Sequence, residues 1–146
     1  WIVRVPESVK NTTINVSVDD NGKKMSMGSS EYRVKRVPSP TPKIANTSSG
    51  NISPNAMIAA GAIIPQMPED FEFDYNFQIT SFNFIGTRRG GDLFEERGSG
   101  NRLNNQMVEY IKNARSGDKI WIEDIVAKSP DGVTRSLSNI SLVIQK

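Results

Sequence analysis

The sequence predicts a mainly β protein: a sandwich-like (Ig-like) C-terminal β-domain with one amphipathic helix over about 101–116, preceded by strands belonging to a second β-domain. Three observations carry this. From Phe71 to Ile85 apolar and polar residues alternate with the period of a strand. Leu103, Met107, Ile111 and Ala114 recur at helical spacing among Asn, Gln, Glu and Lys. Pro38, Pro40 and Pro42 interrupt the chain between two strand-bearing stretches, where they hold the backbone extended and offer few donors to a sheet.

Taken in order, Trp1 to Val5 reads as a strand, and so does Thr13 to Val18, with Ile14, Val16 and Val18 on one face. Asp20-Asn-Gly22 turns the chain into Lys23 to Met27, and Tyr32 to Val37 alternates against charge. A few strands without a second layer leave an apolar face uncovered, so residues 1–37 are expected to be C-terminal strands of a preceding β-domain. Residues 38–43 are the expected Pro-rich linker, and 44–146 the C-terminal domain.

Within that domain Ser53 can cap a short helix from Pro54 to Ala60 that Gly61 stops, although a strand through Ala62 to Ile64 fits as well. The run 71–85 is expected to be one long strand. Its apolar parity changes between Ile79 and Phe82, so Phe77, Ile79, Phe82 and Phe84 reach one core only if a bulge sits near Thr80 and Ser81. Gly90-Gly91 reads as a hairpin turn into Asp92 to Glu96. Asn101 is the expected cap of the helix and Gly117 its stop. Lys119 to Ala127 is a strand, Pro130-Asp-Gly132 a turn, and Ser138 to Gln145 a closing strand with Ile140, Leu142 and Ile144 in phase.

Composition limits the chemistry more than it directs it. The 146 residues hold 18 basic and 16 acidic side chains, with the signs interspersed, which gives no footprint for nucleic acid. Neither Cys nor His occurs, which removes disulfides, thiolate nucleophiles, Cys/His metal sites and imidazole bases. The longest apolar run, Ala56 to Ile64, is far short of the roughly 20 residues that span a bilayer as a helix. With no leader before Trp1, the chain is expected to be a piece of a longer protein.

Four features invite a functional reading. Glu69, Asp70, Glu72 and Asp74 suit a carboxylate acid–base pair, but their alternation with aromatics favours the solvated face of a sheet. Gly86-Thr-Arg-Arg-Gly-Gly91 lacks the spacing of a phosphate loop and leads into a hairpin, so it reads as turn glycines with solvated arginines or as a docking surface for an acidic partner. Leu93-Phe94 beside it suits core packing or a contact. Trp121, out of step with Ile120 and Ile122, belongs to the outer face or lies under a neighbouring element. The sequons at Asn11, Asn15, Asn46, Asn51 and Asn139 are expected by chance in a chain this rich in Asn, Ser and Thr. Arg88, Arg89, Leu93 and Phe94 are the candidate partner contacts; no catalytic, cofactor or metal residue is assigned.

Ala114-Arg-Ser-Gly-Asp-Lys-Ile-Trp-Ile-Glu-Asp-Ile-Val-Ala-Lys-Ser-Pro-Asp-Gly-Val-Thr-Arg-Ser-Leu137, with Phe71-Glu-Phe-Asp and Ser81-Phe82 before it, resembles the C-terminal region of the GldM/PorM family. Tyr32-Arg-Val-Lys-Arg-Val-Pro38 resembles that family's junction between its last two domains. The resemblance implies a non-enzymatic periplasmic component of the type IX secretion and gliding-motility machinery of Bacteroidetes. It implies a homodimer, anchored in the inner membrane by an N-terminal helix, that works with a GldL/PorL-type motor protein. It further implies contact with an outer-membrane-associated ring of the GldK/GldN or PorK/PorN type, and no cofactor.

Two other functions are kept open. A secreted carbohydrate-binding or adhesin β-domain would show an exposed row of coplanar aromatics. A carboxylate hydrolase would bring two of Glu69, Glu72, Asp74, Glu95, Glu96, Glu123 and Asp124 together in a cleft.

Overall fold

A computed structural model of the chain describes residues 2–6 and 9–146. The chain divides into two compact units, Trp1–Val37 and Pro38–Lys146.

The first unit is one long antiparallel hairpin, β1 (Asn11–Asp20) and β2 (Lys23–Arg33). Asn21 and Gly22 both take positive φ, the geometry a two-residue hairpin turn needs to match strand twist. A register shift opposite Val16 and Ser17 adds a residue to β2 beside Gly28, so β2 bends but does not end. The structure therefore corrects the sequence reading, which divides this stretch into Lys23 to Met27 and Tyr32 to Val37. The backbone pairing runs through the glycine and stops after Val34, whose N–H reaches Lys10 O at 2.7 Å. Residues 2–5 form no strand either, and Trp1 lies outside the described residues. Ile14, Val16, Val18, Met25 and Tyr32 share one face of the hairpin, and all are exposed.

The second unit is built on a sheet with the order β4–β10–β8–β6–β7, with β9 also paired to β8. Its strands are β4 (Ser49–Ile52), β6 (Gln78–Thr87), β7 (Leu93–Ser99), β8 (Lys119–Lys128), β9 (Thr134–Ser136) and β10 (Ile140–Ile144). All pairings are antiparallel except β4 with β10. A small second sheet pairs β3 (Thr41–Lys43) with β5 (Ile64–Gln66), and the sheets form a sandwich-like arrangement. Pro40 and Pro42 are buried. Pro42 faces Pro65 across the β3–β5 pair, where neither ring nitrogen has a proton to donate.

Two helices cover one face of the main sheet: the amphipathic one expected near 101–116 and the short one that Ser53 and Gly61 allow. In α1 (Pro54–Ala60) the Ser53 hydroxyl accepts from Ala56 N at 3.2 Å, and Gly61 closes the helix at φ 60. α2 (Asn105–Lys112) is shorter than the 101–116 span that periodicity suggests. Asn101 to Leu103 are spent elsewhere. Ile63 N donates to Asn101 O, Leu103 N donates to Gly61 O, and Ala62 bridges to Arg102. The cap is thus Asn104, whose Oδ1 accepts from Met107 N at 3.0 Å. At the other end the chain leaves the helix at Asn113 because residues 115–118 are tied down by Asp118.

The core lies between α1, α2 and the covered face. Met57, Met107, Ile111, Phe82, Phe84, Ile120, Ile122, Ile140 and Leu142 are all fully or almost fully buried there. Phe77 and Ile79 are buried with them, as the bulge requires. On β6 Thr80 is the extra residue: Ile79 faces Ala127, Ser81 faces Val126, and no partner is left for Thr80. One step on, β8 returns the favour with an extra residue of its own around Asp124, whose φ is 47. The two slips cancel, and Asn83 and Phe84 resume the original register against Glu123 and Ile122.

The strand expected from Phe71 begins only at Gln78. Gln78 pairs with Lys128, the last residue of β8, and beyond it β8 turns away through Ser129 to Gly132. No neighbour is left for residues 71–77 to pair with. That segment is irregular, with Phe73 77% exposed, and Tyr75 anchors it by donating to Asp131 Oδ1 at 3.0 Å. Glu72 and Asp74 are consequently exposed on a loop rather than on a sheet face.

Candidate functional site: an arginine-lined pocket at the β6–β7 turn

Arg88 and Arg89 lie in the turn between β6 and β7. Arg88 N donates to Asp92 O at 3.1 Å, Gly91 N donates to Arg88 O at 3.0 Å, and Gly90 and Gly91 both take positive φ. Glycine is required at such angles, and the tight turn leaves both arginine side chains exposed.

The loop after α2 meets this turn through Asp118. Its carboxylate is 2% exposed, and it is spent on backbone: Oδ1 accepts from Arg89 N at 3.1 Å and Oδ2 from Arg115 N at 2.8 Å. A buried carboxylate is expensive unless hydrogen-bonded, and here two N–H donors satisfy it. Gly117 N donates to Ile144 O, and Ile144 N to Asp118 O, which clips the loop to β10. Arg88, Arg89 and Arg115 thus surround one pocket of about 770 Å³, with Asp92, Asn113 and Asp118 in its wall.

Beneath the turn, the Arg88 guanidinium carbon lies 5.1 Å from the centroid of the Tyr110 ring, a cation–π distance. Tyr110 stacks on Phe94, with centroids 4.7 Å apart and planes 17° apart. Its hydroxyl is buried and makes no hydrogen bond of normal geometry. Burial raises the phenol pKa, and the Asp118 charge raises it further. The Arg88 guanidinium opposes both, by its charge and as a hydrogen-bond donor toward the phenol oxygen, and does not cancel them.

Of the four expected contact residues, Arg88 and Arg89 line the pocket. Phe94 is half-buried in the core margin against Phe84 and Tyr110. Leu93, 64% exposed and paired with Thr87, lies on the opposite face of the sheet. Arg115 is the member that sequence reasoning missed. Only the acceptor role of Asp118, three residues on, ties it to a turn so distant in sequence. Trp121 is half-buried on the sheet face away from Ile120 and Ile122, opposite Ile85 and Ser141.

Glu95, Glu96 and Asp124 border a hollow of about 340 Å³. Glu95 and Glu96 are neighbours on a strand and point to opposite faces, and each is held by an amide: Asn83 Nδ2 at 2.7 Å and Asn104 Nδ2 at 3.0 Å. Among the described residues no cluster of acidic side chains is arranged to hold a metal ion. The aromatic pairs of the 71–77 segment are inclined at 59° and 67°, so they make no coplanar platform.

Among the described residues no helix is long and apolar enough to cross a membrane. No curated protein matches the chain. The family model described as the GldM C-terminal domain matches residues 38–145, the whole second unit but its last residue. Since that match covers well over half of the sequence, the chain belongs to the GldM family through its C-terminal domain.

Proposed function

We propose that this chain is the ring-facing end of a periplasmic structural and transmission component of the type IX secretion and gliding-motility machinery, of the PorM kind. Membership in the GldM family makes it a component of that machinery and, in general, a periplasmic one. The finer reading is that the protein acts as a homodimer anchored in the inner membrane, coupled there to a GldL/PorL-type motor protein. At this end it contacts a GldK/GldN- or PorK/PorN-type ring through the β6–β7 turn.

The observation that carries the contact is the pocket itself: three exposed arginines, two of them, Arg89 and Arg115, tied through their backbone to the one buried carboxylate of Asp118, with Arg88 next in the same turn. A family of structural secretion-system components fits a surface built for protein contact better than one built for turnover.

The test is capture of the ring proteins by the 146-residue chain, with R88A/R89A as the contact variant. Capture by the native chain and its loss in the variant are expected. Failure of the native chain to capture them would remove the proposed contact. Light scattering at micromolar concentration is expected to give a dimer, and a strict monomer would count against dimerisation through these units.

A further inference from the structure

We infer that the pocket framed by Arg88, Arg89 and Arg115 takes a single carboxylate presented by an acidic segment of a protein partner. This rests on the reading of the β6–β7 turn as a contact surface, and it names the group that the surface recognises.

Asp118 is not a counter-ion to the arginines around it. A carboxylate among three arginines would ordinarily neutralise one of them. This one accepts from the main chain of Arg89 and Arg115 with both oxygens and lies buried. It fixes where the Arg89 and Arg115 backbones sit and neutralises none of the three head groups. Among the described residues none of the three guanidiniums has a carboxylate at pairing distance. Asp92, the other acidic residue in the wall, is not bonded to any of them through its side chain.

Charge then selects the ligand. Three arginines against Asp92 and Asp118 leave a surplus of one positive charge, which one carboxylate balances and a phosphate dianion exceeds. Shape agrees. A space of about 770 Å³ holds a stretch of several residues rather than an isolated ion. The planar, multi-donor guanidinium grips a carboxylate with two parallel hydrogen bonds. Arg88 is partly pre-organised for this, since its stacking on Tyr110 removes rotamer freedom before any ligand arrives.

The experiment uses the isotopically labelled 146-residue chain and a capped hexapeptide with a single Glu. Its Gln twin and inorganic phosphate are the comparison probes. The acidic peptide should shift the amide signals of residues 88–91 and 115–118, and the twin should leave them in place. R88Q/R89Q/R115Q should weaken peptide binding about tenfold or more. The triple lysine variant, which keeps the charge and loses the planar fork, should fall between.

Equal binding of the twin, or unchanged binding by the glutamine variant, would overturn the inference. So would phosphate displacing the peptide at equal concentration, because the pocket would then be a site for small anions. If the native chain binds the peptide but captures no ring protein, the ring contact falls and the carboxylate pocket stands. If it captures the ring and the glutamine variant captures it equally well, the pocket falls and the broader contact reading survives.

Discussion

The ring of Phe82 occupies the place a side chain would take at Gly98, its cross-strand partner: a Cβ built on Gly98 would overlap the end of that ring. Phe82 is 1% exposed, and it is the absence of a side chain on β7 that lets so large a group lie over the strand. Gly98→Ala should therefore cost about 1–3 kcal/mol by overpacking, measured by chemical denaturation. In a Phe82→Leu background the same change should cost less, since the two sites are coupled through the shared space. Additive effects would show that the ring moves aside freely.

Asp124 holds a left-handed backbone angle in the middle of β8 because the slip on β6 must be cancelled there. Asp and Asn tolerate this region, and β-branched residues do not. Asp124→Val should lower stability by about 1–2 kcal/mol, while Asp124→Asn should be nearly neutral. Trp121 fluorescence during denaturation reports both. Equal stability of Val and Asn would mean that the register is not cancelled at this residue.

Asp131 accepts from the Ser129 hydroxyl and from Tyr75, and these bonds, the Ser129 one foremost, lower its pKa. A depressed folded pKa means that the stabilisation is present above the unfolded carboxylate pKa and is lost as pH falls through the lower folded value. The loop 71–77 should thus stay clasped at neutral pH and loosen only in acid. A carboxyl titration followed by NMR should place the Asp131 midpoint below its ordinary 3.8. A midpoint at or above that value would show that the clasp does not form.

Replacing Asp118 by Asn leaves one carbonyl oxygen for two backbone donors. The loss is expected to be about 1–3 kcal/mol, and the arginine turn should loosen. The same variant should lower the Tyr110 pKa by removing the raising charge. Phenolate absorbance across the alkaline range checks this. An unmoved Tyr110 would show that the carboxylate does not act on the ring.

Local patterns were legible where one element decides its own structure. The parity change between Ile79 and Phe82 locates a real bulge at Thr80, and Ser53 with Gly61 bounds α1. The matching parity change on β8, from Ile120 and Ile122 to Ile125 and Ala127, is equally visible in the sequence and marks the counter-slip. What failed depended on distant chain. Residues 71–77 alternate like a strand but have no neighbour, and Asn101 to Leu103 keep helical spacing while pairing with the chain after Gly61. The pocket failed in the same way, because Arg115 joins Arg88 and Arg89 only through a buried side chain that no local pattern reveals.

The pairing of β4 with β10 carries a mechanical consequence. These are among the first and last strands of the second unit, and they run parallel in register, Ser49 opposite Ser141 through Ile52 opposite Ile144. Tension that enters before Ser49 and leaves through Lys146 pulls parallel neighbours toward opposite ends. Their hydrogen bonds are then sheared together instead of being peeled singly. A strand pair loaded in this direction yields at a higher force than one whose bonds open in turn. Single-molecule pulling from the two ends of the unit should give a higher rupture force than pulling across the antiparallel β6–β7 pair.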